Sequence, residues 1–217
     1  MSVDDYLAET HTTARLETFC DGVFAIALTL LVLDLKVPSA DLIRTTPDVW
    51  LALRHMAPSI SAFVLSFTII LITWVNHDAV FRLVNKASTP FIYANGFLLL
   101  SVVFMPFSTA LVGEHLLTDH AAPAVVIYDA VTAVQAIGWI LVCGTALRNR
   151  QTKDVKSAAL LRENQRNGYV ALAIYSLLAL AAFWLPLTIA IVTTALWAYW
   201  LAFSLRSRIV RDEMTSH

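Results

Sequence analysis

Charge is what this chain has least of. Only 14% of its 217 residues are Asp, Glu, Lys or Arg, while 58% are hydrophobic; a soluble domain carries roughly 25% charge. So few charged side chains cannot clothe the chain in polar surface, and lipid is the expected solvent. The mean hydropathy of +0.68 agrees. The net charge of −1 says little, because in a membrane protein the placement of charge matters more than its sum. There is no basic domain and no interleaved aromatic-basic patch, which argues against nucleic acid as a partner. Cysteine is scarce: Cys20 and Cys143 lie far apart. Both are near expected cytoplasmic helix ends, a reducing location, and are expected as free thiols.

Catalytic signatures are also missing. The chain has no HExxH, no GxSxG elbow, no Walker loop and no CxxCH, so no enzyme and no cofactor are expected. His77 and Asp78 diverge by about 100° on a helix and make a poor metal pair. His11, His115, His120 and His217 are expected in loops or tails. The opening SVDDYLAETHTT is acidic and polar and does not resemble a signal peptide. No internal repeat, soluble domain or Gly/Ser-rich linker is visible.

Long apolar runs, by contrast, are plentiful. A spanning helix needs roughly 20 mostly apolar residues, and six stretches qualify: 16–35, 49–75, 90–112, 121–147, 169–185 and 187–205. The fold class expected is therefore an all-α integral membrane protein forming a single domain over 1–217. Pro186 implies a tight hairpin between the last two spans. The polar run 148–167 is expected as a loop or as a short amphipathic helix with Leu160 and Leu161 towards lipid. The tail 206–217 is expected to be a fraying helix end. With six spans, 12 of the 15 Lys and Arg fall on the side of the termini: Arg15, Arg82, Lys86, Arg148, Arg150, Lys153, Lys156, Arg162, Arg166, Arg206, Arg208 and Arg211. Lys36, Arg44 and Arg54 fall on the other. The positive-inside rule then places both termini in the cytoplasm of a cell-membrane protein. Five or seven spans would scatter these charges.

The stretch 15–38, RLETFCDGVFAIALTLLVLDLKVP, carries the rest of the reading. Ile26, Leu30 and Leu33 share one face of its helix, with Thr29 at the edge and Asp21 pointing elsewhere. Such a stripe alone is ordinary for any transmembrane helix. Asp21, about one turn inside the span, needs a polar partner. The end of the second span, Trp74-Val75-Asn76-His77-Asp78, offers an indole, an amide and an imidazole at the same depth. A polar cluster of Arg15, Asp21, Trp74, Asn76 and His77 is expected to lock the two helices. Gly22 would permit close helix approach. Asp129 and Gln135, inside the fourth span, are the residues a coupled carrier would have to use.

Arg15, Phe19, Cys20 and Asp21, followed by a small residue and an apolar run, resemble the Arg-x-x-x-Phe-Ser-Asp signature of the transmembrane protein 175 family. These are endosomal and lysosomal potassium channels and their bacterial relatives. Trp74 to His77 resemble the second-helix motif of that family. Cys20 stands where the family has serine, so any bond that the serine makes would be weaker here. The resemblance implies a bacterial-type, single-repeat subunit that assembles as a homotetramer in the bilayer. It also implies a passive, potassium-preferring leak for monovalent cations, with K⁺ as permeant ion and no cofactor. The first helix would line the pore, with Ile26, Leu30 and Leu33 as apolar rings and Thr29 at a position used for cation selection. The filter sequence TVGYG of ordinary potassium channels is absent. A coupled carrier and a non-conducting scaffold are the competing readings.

Overall fold

The computed structural model describes residues 3–38 and 45–215, with side chains for 13–38 and 45–201. Arg44 and His217 lie outside the described residues, as do the side chains of His11, Arg206, Arg208 and Arg211. Within them the chain is helical throughout: α1 Val3–Leu30, α2 Thr46–His55, α3 Ala57–Phe81, α4 Thr89–His115, α5 Ala121–Arg148, α6 Val155–Ala181 and α7 Pro186–Thr215. A 3₁₀ turn, Leu31–Asp34, continues α1. Residues 13–34 and helices α3, α4 and α5 are each long and apolar enough to cross a membrane, and residues 186–201 of α7 form a shorter apolar helix. The protein is thus a multi-pass membrane protein.

Several boundaries differ from those read in the sequence, and α1 begins at Val3 rather than near residue 16. The span expected at 49–75 is two helices, because Pro58 at the start of α3 favours a fresh helix N-terminus. The polar run 148–167 is mostly helix, one of the two forms expected for it, but it runs without a break into the fifth span as the first half of α6. Asp154 caps it, its carboxylate accepting from the Ser157 backbone N–H at 2.6 Å. That bond holds the Asp154 carboxyl below the usual range. Leu161 does not face lipid: it is fully buried in the core. The tail 206–217, expected as a helix end, is helical backbone through Thr215.

α5 lies along α4 and α6, α1 rests on α3 and α4, and α7 packs on α5 and α3. Small residues set the closest approaches. A Cβ on Gly138 of α5 would lie 2.8 Å from Leu98 Cα of α4, and one on Gly168 of α6 would lie 2.9 Å from Ile140 Cγ1. In lipid the hydrophobic effect does not drive helices together, so van der Waals fit at such contacts supplies the attraction. Gly22 has nothing within 4 Å of its would-be Cβ, so the close approach expected there is not made within this subunit. At one end the α3–α4 and α5–α6 loops join through an antiparallel bridge, Val84 to Thr152. That bridge gathers Arg82, Lys86, Arg148, Arg150 and Lys153 at the end where α1 enters its apolar run. Arg150 adopts φ 50° just past the end of α5. Cys20 and Cys143 are buried free thiols.

Candidate functional site

α1 has two unlike faces. Leu16, Cys20, Phe24, Ala27 and Leu31 are buried in the core. The opposite face carries Phe19, Ile26, Thr29 and Leu30, and Leu33 follows in the 3₁₀ turn. Ile26 is 59% exposed, Leu30 39% and Leu33 72%. The subunit therefore covers one side of α1 and leaves the other bare. A 3₁₀ turn advances about 120° per residue, so Leu33 is turned further round than an unbroken α-helix would carry it. The Thr29 hydroxyl donates to the Ile26 carbonyl at 2.8 Å. Its proton is spent inside the helix, and its oxygen is left as an acceptor.

Two polar contacts flank the lower part of this helix, where one cluster was expected. The Trp74 indole N–H donates to Asp21 Oδ1 at 2.8 Å, tying α3 to α1. One turn further on, His77 does not join them. It is buried, and its Nε2 pairs with Asn95 Oδ1 of α4 at 2.9 Å. Asn95 in turn donates to the Phe91 carbonyl at 2.7 Å. The His77 ring packs between Phe24 of α1, at 5.2 Å between centroids, and Phe81, at 4.6 Å. His77 thus holds α1, α3 and α4 at one point. Arg15 and Asn76 are exposed, and neither bonds Asp21. Cys20 is fully buried beside Asp21, while Phe19 is exposed.

At the other end of α1, Lys36 forms an ion pair with Glu114 at the end of α4. The carboxylate bond and charge raise the Lys36 ammonium above its ordinary value. Asp34 lies two residues away. Sequence reasoning missed Asn95 and Glu114 as partners. The available signal was Asn95 itself, an amide inside the apolar run FIYANGFLLL, which required a buried partner.

Deeper in the bundle, further polar side chains pair between helices. Ser66 bonds Tyr128 at 2.9 Å and accepts from Thr109 at 2.6 Å. Gln135 donates to Thr73 at 2.5 Å, and Thr193 donates to Asp129 at 2.9 Å.

Residues 15–106 match the family described as the endosomal/lysosomal potassium channel TMEM175. A crystal structure of a lysosomal potassium-selective channel TMEM175 homolog from Chamaesiphon minutus superposes with a TM-score of 0.72. It has 34% identity and covers 88% of this chain and 98% of that one. This chain belongs to the TMEM175 family. A potassium channel of Chamaesiphon minutus is 45% identical over 129 residues, 59% of this chain and 63% of that protein. The match therefore spans less than two thirds of that relative. A potassium channel of a Chryseobacterium species is 30% identical over 176 residues, 81% of this chain and 85% of that one. The segment matched to the family begins at Arg15. It contains the whole bare face of α1, the Asp21–Trp74 contact and the His77–Asn95 contact.

Proposed function

We propose that the chain is one subunit of a homotetrameric, potassium-preferring cation channel in the cell membrane, with α1 lining the central pore. The observation that carries the reading is the bare face of α1. Ile26, Thr29, Leu30 and Leu33 stand uncovered on a helix whose other face is packed. Relatives named as potassium channels support the activity. The gathering of basic residues at one end supports six spans, counting α6 and α7, with both termini cytoplasmic.

Four copies of an apolar ring narrow a pore by sterics and dewetting. A cation passing Ile26, Leu30 and Leu33 keeps most of its water, because no carbonyl cage replaces it. Preference for K⁺ then comes from the higher cost of stripping water from the smaller Na⁺. Four Thr29 oxygens offer lone pairs to the ion, since the hydroxyl protons are committed to the helix. The conduction is passive, and K⁺ is cargo. Asp21, held by Trp74, keeps α1 at a set angle and takes no part in the permeation path.

Flux of K⁺ and Na⁺ into proteoliposomes tests the reading. Ile26→Asn and Ile26→Ala should each raise cation flux by about tenfold, the equivalent of roughly 1.4 kcal/mol off the barrier, and lower K⁺/Na⁺ discrimination. Unchanged flux and ratio would remove Ile26 from the constriction. Saturating flux would indicate a carrier, and none at all a scaffold.

A further inference from the structure

Among the residues whose side chains are described, Asp129 is the only carboxylic acid that is fully buried. It lies eight residues beyond the start of α5, about 12 Å along the helix. One oxygen accepts from Thr193 of α7 at 2.9 Å. The other, Oδ2, is buried with no partner among the described residues. Asp129 borders a cavity of about 90 Å³ between α3, α4, α5 and α7. Ala62, Leu65, Val125 and Ala190 form its walls, and the exposed Ser61 and Thr194 its rim. Water needs about 10–15 Å³ of such space per molecule, so several fit. The cavity reaches Pro58 at the start of α3 and Leu116 at the end of α4, hence the membrane surface at which α1 ends.

A carboxylate oxygen left bare among aliphatic walls is expensive. It is relieved by taking a proton, by meeting water, or both. Nothing nearby holds it ionised by charge. The cavity side chains from α3, α4 and α7 include no Lys, Arg, His, Asp or Glu. The ionisable groups facing Asp129 are Tyr128 of α5, already bonded to Ser66, and Tyr175 of α6, whose hydroxyl also has no partner among the described residues. One carboxyl and a few hydroxyls offer too few oxygens to replace the shell of a metal cation, but enough to share a proton with water. We propose that Asp129 is a proton-binding site inside each subunit, exchanging its proton through water in this cavity with the side of the membrane at which α1 ends. The site is separate from the bare face of α1 and does not rest on the pore reading.

Infrared titration of the full chain in lipid bilayers tests this. The expected result is a protonated-carboxyl band that titrates with pH, shifts in D₂O and is lost in Asp129→Asn. Thr193→Val keeps the side-chain shape but removes the hydroxyl that favours the ionised form. It should move the midpoint up by about one pH unit, which decides the matter if Asp129→Asn fails to fold. Three results would overturn the proposal: a band unaffected by Asp129→Asn, a midpoint unmoved by Thr193→Val, or a band that follows KCl or NaCl at constant pH.

Discussion

Asp21 was conspicuous in the sequence because a carboxylate inside a membrane helix must find a donor. Trp74 is that donor, at 2.8 Å. A hydrogen bond to a charged group contributes about 1.5–3 kcal/mol. A double-mutant cycle of Asp21→Asn and Trp74→Phe should therefore give a coupling of about 1–3 kcal/mol in thermal unfolding of the detergent-solubilised protein. Potassium flux per folded channel should stay near wild type in Trp74→Phe. A coupling near zero would mean that the contact does not hold α1 to α3. His77 and Asn76 carry a different lesson. At the sequence level both belong with Asp21, since all sit at one depth. Depth is readable from hydropathy, but which way a side chain leaves its helix depends on how α3 is rotated against α1, and no local pattern contains that rotation. His77 turned inward to Asn95, and Asn76 outward.

The two-faced character of α1 was half legible at the scale of the element. The stripe of Ile26, Leu30 and Leu33 was visible. That it is the uncovered stripe was not, since Leu16, Phe24 and Leu31 are equally apolar and lie buried. In lipid, apolar residues are acceptable on every face, so hydropathy does not separate core from surface as it does in water. The first half of α6 was open between loop and short amphipathic helix for the converse reason. Its residues 155–167 are polar enough to read as loop, yet Ala, Leu, Lys, Arg, Glu and Gln are good helix formers, and Asp154 caps them. Glycines were misjudged in the same way: Gly22 drew notice from its neighbours, but Gly138 makes the close approach. Gly138→Ala should destabilise the protein by about 1–3 kcal/mol through overpacking against the Leu98 backbone. Gly22→Ala should leave the fold of the isolated subunit unaffected. Melting curves of the two variants side by side check both.

For the whole molecule, a single chain leaves an apolar helix face bare in its family-matched segment. A homotetramer about α1 would close that face on itself. Native mass spectrometry from mild detergent should give a particle of four times 24.0 kDa, and a monomer or dimer would count against the central pore. Composition by itself determined that this chain lives in lipid, because 14% charge cannot clothe it in water. The motif around Arg15 to Asp21 determined the family, and the placement of Lys and Arg determined the expected sidedness. All three are local or additive properties, carried by residue type and order. Tertiary structure alone decided which face of α1 is bare. It also split the expected cluster into Asp21–Trp74 and His77–Asn95, and set Asp129 beside a cavity. These follow from the mutual rotation of helices, which packing at contacts such as Gly138 on Leu98 selects and which one-dimensional hydropathy does not encode.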